Sequence, residues 1–255
     1  MTARLLRRLG YVLAAFMAVL TFSAPIVALN VQPVIVDLLS TGRRTSAVIN
    51  LENTFAETVP VELVARPLRI VDGELRESET EEAEDLLIFP AQATVAGGQV
   101  QAFRVQWVGD PAPTQSQHFY VTVAQLPVAL PENQNAIQVL HRFKVLVSVG
   151  APDARADLRV TGAEIRQDEA GRSYPVVTVA NAGNTYGYIA RSRMTVVQRA
   201  PNGDEVYRES FEPAEIQRRM GMGLVPSGQT RALRLNLELP QTGGSLSVEL
   251  SAASD

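Results

Sequence analysis

The sequence predicts an all-β protein built from two tandem β-sandwiches, and three observations carry that prediction. Apolar and polar residues alternate in short runs along the chain, the pattern of half-buried strands. Glycine, proline and asparagine collect between the runs, where a chain must turn. The alternation stops at Gly150-Ala151-Pro152-Asp153 and then resumes, which divides 29–150 from 153–255. A chain of 255 residues suits two domains, at about 100–200 residues each.

The N-terminal segment stands outside this pattern. Arg4, Arg7 and Arg8 precede an apolar run from Leu9 to Phe22. That run has the length of a signal-peptide core and is short for a membrane span. Ile26-Val27-Ala28 ends in a small residue, so cleavage is expected after Ala28, with residues 1–28 as the signal peptide; a retained anchor is the alternative. Cleavage leaves 20 basic against 27 acidic residues and sends the mature chain out of the cytoplasm.

The elements follow in order. Ser46 to Leu51 places Ala47, Ile49 and Leu51 on one face, and Val59 to Val64 places Val59, Val61 and Leu63 together. Val100 to Trp107 sets Phe103, Val105 and Trp107 against Ala102, Arg104 and Gln106. Phe119 to Leu126 alternates likewise, and Ile137 to Val149 is the longest strand candidate. About seven such strands before residue 150 suggest an antiparallel sandwich. A second series covers 158–165, 174–179, 189–198, 205–211, 230–239 and 246–250. Asn202-Gly203 reads as a hairpin turn, because both residues tolerate positive φ. Glu215 to Leu224 reads as a helical turn or a flexible loop.

Composition excludes several functions. There is no cysteine, hence no disulfide, zinc–thiolate site or catalytic thiol. The net charge of −4 argues against a nucleic-acid partner. His118 and His141 lie in strands without a local serine or carboxylate pattern, and no Gly-x-Ser-x-Gly elbow or phosphate loop exists. Met220 and Met222 lack a second ligand group nearby. The reading is a protein without catalytic residues, metal or cofactor. Glu77, Glu79, Glu81, Glu82, Glu84 and Asp85 read as a solvated loop that self-repels and stays extended.

The most informative strand is 137–149. Ile137, Val139, His141, Phe143 and Val145 share one face, and Gln138, Leu140, Arg142 and Lys144 share the other. Apolar residues on both faces need cover on both. Either the strand is central and fully paired, or it lies at an edge and offers unpaired backbone groups to another chain.

Four stretches give the chain its likeness to a known family. They are Ile88-Phe89-Pro90 with Gly97-Gly98 and Gln101-Ala102-Phe103-Arg104-Val105; Phe119 to Pro127; Arg142-Phe143-Lys144-Val145-Leu146; and Asn181-Ala182-Gly183-Asn184. In their order and spacing the chain resembles the periplasmic pilus-assembly chaperones of the chaperone–usher family. The resemblance implies two immunoglobulin-like domains set at an angle, with a subunit-binding cleft between them. It implies donor-strand complementation: the long strand fills the gap in a pilin or fimbrial subunit, with Ile137, Val139, His141 and Phe143 as the subunit-binding residues. Delivery to an outer-membrane usher follows, without ATP or cofactor, and the free chaperone can self-associate through its donor strand. Lys144 matches the family's carboxylate anchor, with Arg142 or Arg104 assisting. The usual partner arginine of the first strand is missing from Pro33 to Gly42. A structural subunit or adhesin of a surface fibre is the alternative, although Asn30 to Leu39 already reads as the first strand of a domain.

Overall fold

The computed structural model describes residues 28–128 and 139–252. The expected signal segment, apart from Ala28, and Ile137 therefore lie outside the described residues. The protein is all-β, with two sandwiches in tandem. The first contains β1 (Leu29–Gln32), β2 (Ile35–Leu39), β3 (Ser46–Asn53), β4 (Val59–Val71), β5 (Glu74–Glu77), β6 (Leu86–Phe89), β7 (Gln92–Val95), β8 (Val100–Trp107), β9 (Gln117–Gln125) and β10 (Arg142–Gly150).

One of its sheets has the order β1-β3-β8-β6; the other has β2-β10-β9-β4-β5, with β7 also on β4. Alternation sets what each strand buries. Ile49 and Leu51, then Phe103, Val105 and Trp107, face Val61 and Leu63, Val121 and Val123, and Val145, Val147 and Val149 across the core. Each such side chain contributes about 1.5–3 kcal/mol on burial. The single first strand expected over 30–39 is divided. Pro33 has no N–H to give a ladder, and the chain changes sheets there, so β1 pairs with β3 and β2 pairs with β10.

The second sandwich contains β11 (Leu158–Gln167), β12 (Ser173–Asn181), β13 (Gly187–Tyr188), β14 (Ser192–Arg199), β15 (Glu205–Phe211), α1 (Pro213–Met220), β16 (Leu224–Val225), β17 (Thr230–Arg234) and β18 (Ser245–Ala252). Its sheets have the orders β11-β12-β17, β13-β16 and β15-β14-β18. Val177, Val179, Met194, Val196, Phe211 and Leu235 fill the core.

Several local expectations need correction. Among the described residues the longest strand is β4, at 13 residues, and β10 begins only at Arg142. Residues 213–220 form a helix: Glu212 and Glu215 make a reciprocal capping box, Pro213 opens the first turn, and Ile216 is buried. The two-residue turn with both φ positive is Asp72-Gly73, between β4 and β5. Asn202 does not take positive φ; its Oδ1 accepts from the Asp204 N–H in a wider loop. Only Thr230–Arg234 of the expected 230–239 strand is laddered, although Leu235, Leu237 and Leu239 keep the alternation and stay buried.

Both sandwiches use the same corner. Asn53 is fully buried and donates to the carbonyls of Glu57 (2.8 Å) and Val95 (2.9 Å). Asn181 donates equally to Thr185 (2.7 Å) and Val225 (3.0 Å). Each also accepts through Oδ1, from Phe55 or Gly183, so the buried amide satisfies backbone groups that would otherwise be orphaned. Gly183 leaves room for this turn, because a Cβ there would lie 2.2 Å from the Arg155 carbonyl oxygen.

Candidate functional site: a half-paired strand beside a groove of mixed charge

β10 is a central strand along part of its length and an edge along the rest. It pairs antiparallel with β9 from Arg142 opposite Ala124 to Val149 opposite Gln117. On its other side β2 runs parallel to it, but only from Leu146 opposite Ile35 to Gly150 opposite Leu39. Among the described residues nothing pairs with that side of Arg142–Val145. The Leu146 N–H donates to Val34 O at 3.0 Å, so even-numbered residues direct their backbone groups toward the β2 side. His141 O accepts from Gln125 N at 2.9 Å, so odd-numbered residues face β9. The open edge therefore presents the N–H and C=O groups of Arg142 and Lys144.

Side-chain direction divides the expected subunit-binding residues. Val145 is fully buried and Phe143 packs partly buried against the core of its own sandwich. His141 stacks on Phe143, with ring centroids 6.3 Å apart, and approaches Phe55 at 5.6 Å. Its Nδ1 lies 3.1 Å from Gln125 Oε1. Both residues thus close the end of the chain's own core. Val139, next on the same face, is 73% exposed, and Leu140 is exposed beside it. Val139 lies upstream of β10, in a segment that is not strand, and lines an open groove with Phe55, Val59, Pro60 and His141.

On the outward face, Lys144 and Arg142 border an open groove with Glu62, Arg66, Glu77 and Thr122. The Lys144 ammonium is bound to the Glu77 carboxylate and lies 5.2 Å from the centre of the Tyr120 ring. Arg142 forms no ion pair among the described residues. The acidic loop after β5 is held down rather than extended: Arg66 donates to Glu79 O, and Arg69 pairs with Glu81 at 2.6 Å. These arginines project from β4, which the acidic residues cannot reveal by themselves. Arg104 lies on the other sheet, where it donates to Ser46 Oγ at 2.8 Å, on the opposite outer face from Lys144.

A polar network missed in the sequence joins the two sandwiches. Asp37 of β2 accepts from Tyr186 Oη (2.8 Å) and Tyr188 Oη (2.9 Å) and pairs with Arg191. Burial and the Asp37 charge push both tyrosine pKa values above their ordinary range. Tyr188 Oη in turn accepts from Ser148 Oγ (3.1 Å), which meets His118 Nδ1 at 3.0 Å. His118 Nε2 meets Ser116 Oγ at 3.0 Å, and Ser116 is bonded to Ser227 of the second sandwich. Desolvation lowers the His118 pKa to about 3, against a smaller opposing pull from Asp37. Both ring nitrogens are occupied and the residue is buried, so this serine–histidine cluster is structural. The first strand thus carries an acid where a cation is expected, and the second sandwich supplies the cation.

No protein-family model matches the sequence, and no curated protein matches it. Solved structures do. The crystal structure of the class 5 fimbriae chaperone CfaA superposes with a TM-score of 0.51 at 12% identity, covering 89% of this chain and 100% of that one. A structure described as a chaperone–tip adhesin complex vital for synergistic activation of CFA/I fimbriae biogenesis gives 0.51 at 12% identity, over 88% of this chain and 94% of its own. The chain has the two-sandwich fold of these fimbrial chaperones.

Proposed function

We infer that this protein is a periplasmic chaperone that captures subunits of a surface fibre by lending them a strand and delivers them to an outer-membrane usher. The observation that carries this reading is the half-paired β10, whose free backbone groups follow a non-strand segment that bears the exposed Val139. A subunit whose sandwich lacks a strand has the complementary defects, an open edge and an open core. Laid beside Arg142–Val145, its edge strand takes up the free N–H and C=O groups of Arg142 and Lys144, each bond contributing about 1 kcal/mol net. Val139, and Ile137 one step along the same alternation, fill the subunit's core, each worth about 1.5–3 kcal/mol. His141 and Phe143 act from behind, by fixing the strand to its own sandwich. Lys144 and Arg142 flank the edge and offer charge-assisted hydrogen bonds to the subunit's terminal carboxylate, which sets the register. The fold shared with fimbrial chaperones, one of them solved with a tip adhesin, supports this choice of partner.

The test is copurification. Tagged protein is expected to leave a periplasmic extract in a one-to-one complex with a small fibre subunit. A variant carrying Ile137→Asp and Val139→Asp is expected to lose the subunit while unfolding at the same temperature. Unfolding of that variant would mean that the segment is internal. Recovery of the protein as a component of surface fibres would contradict the reading outright.

A further inference from the structure

Lys144 is the only lysine of the chain, and it is not free to receive a ligand: Glu77 already holds it. The two side chains differ in environment. Lys144 is 48% exposed, while Glu77 is 17% exposed at the end of β5. The Glu77 backbone is fixed opposite Leu68, and the Tyr120 ring lies under the ammonium. Arg142, two residues away on the same face, forms no ion pair among the described residues. A carboxylate entering along the open edge therefore meets one uncommitted cation and one that an internal carboxylate occupies.

We propose that Glu77 is a built-in competitor that occupies Lys144 in the empty chaperone and is displaced by the incoming carboxylate. The inference rests on the reading of Lys144 as a carboxylate anchor. Exchange of one carboxylate for another leaves the ammonium paired throughout, so Lys144 stays oriented over Tyr120 and meets no large desolvation step. Glu77 turns its side chain to water without moving β5, whose ladder holds its backbone. In the empty state the pair keeps small anions off the lysine. Selectivity follows: a bare anion gains only the exchange, whereas a strand bearing a terminal carboxylate adds backbone bonds and core burial.

A sole lysine makes the experiment direct, because labelling with lysine enriched in carbon-13 and nitrogen-15 gives one side-chain ammonium signal. The probes are acetate and a ten-residue peptide of alternating valine and threonine, made with a free or an amidated C-terminus. In Glu77→Gln, acetate is expected to move the Lys144 signal at concentrations that leave the wild type unchanged. The free-acid peptide is expected to bind Glu77→Gln about two- to five-fold more tightly than wild type, the range of a partly exposed ion pair. The amidated peptide is expected to bind both equally. Equal or weaker binding of the free-acid peptide by Glu77→Gln, or an acetate response no greater than in wild type, would overturn the proposal. Lys144→Ala separates this from the reading beneath it. If Lys144→Ala abolishes the preference for the free acid but Glu77→Gln changes nothing, the anchor stands and the competitor falls. If no form prefers the free acid, the anchor reading fails as well.

Discussion

Among single residues, His118 has the most unusual surroundings, and they make a prediction about pH. The folded ring stays neutral down to about pH 3, whereas in the unfolded chain it takes a proton below pH 6.5. Between these values the unfolded state binds more protons, so stability falls on acidification through that window, by at most about 1.4 kcal/mol per pH unit. Urea unfolding of His118→Gln is expected to show a shallower loss between pH 7 and pH 4; parallel curves for variant and wild type would assign the acid sensitivity elsewhere. Lys144 makes the second prediction at this scale. Lys144→Ala is expected to weaken subunit capture in quantitative pull-down, and more than Arg142→Ala does; equal capture by wild type and Lys144→Ala would place the anchor elsewhere. Lys144 stood out in the sequence because no other lysine exists. Its partner Glu77 did not, because nothing in one strand tells which acid a hairpin 67 positions away will bring to it. His118 was hidden only in part: Ser116 lies two residues before it, whereas Ser148 and Ser227 join the cluster only when β9, β10 and the second sandwich assemble.

At the scale of elements, β10 combines two environments in nine residues. Its alternation was legible, since Phe143, Val145 and Val147 repeat with period two. The sequence left open whether the strand is an edge or is covered. The structure has both, and the cause lies elsewhere in the chain: Pro33 moves the first strand from one sheet to the other, and β2 begins beside Leu146. Upstream of that point the row next to β10 is vacant among the described residues. Backbone parity then separates two proline substitutions. Arg142→Pro removes an N–H that faces the open edge, so the protein is expected to fold but to capture subunits less well than Arg142→Ala. Phe143→Pro removes an N–H that faces β9 and is expected to destabilise the fold more than Arg142→Pro does, through the lost ladder hydrogen bond. Thermal unfolding and pull-down on the same two variants check this, and equal stability for both would contradict the assigned parity. The helix at 213–220 shows a different limit. Its Glu-Pro-x-Glu start is a local signal, but its apolar face is one i, i+4 pair, Ile216 and Met220, too little to register as a helical period.

The whole molecule depends on how two independently cored sandwiches are joined. With no cysteine, each is stabilised by packing alone, and the alternating runs that build the two cores could be read directly from the sequence. Their junction could not, because it is made of Asp37, Tyr186, Tyr188, Arg191, Ser148, His118, Ser116 and Ser227, which are spread across both halves of the chain. Asp37 is bonded to three groups of the second sandwich. Asp37→Asn is expected to cost about 1.5–3 kcal/mol of stability, the range for hydrogen bonds to a charged group. It is also expected to broaden the distribution of shapes in small-angle scattering; unchanged scattering and stability would make the contact incidental. The strand-lending claim is tested most directly by residue-resolved amide hydrogen exchange along β10, in the free protein and in its complex with a copurified subunit. The account predicts that the Arg142 and Lys144 amides exchange fast in the free protein, while Phe143, Val145 and Leu146 are protected, and that subunit capture slows both. Amides of Arg142 and Lys144 that are already slow in the free protein, or that stay fast in the complex, would contradict it.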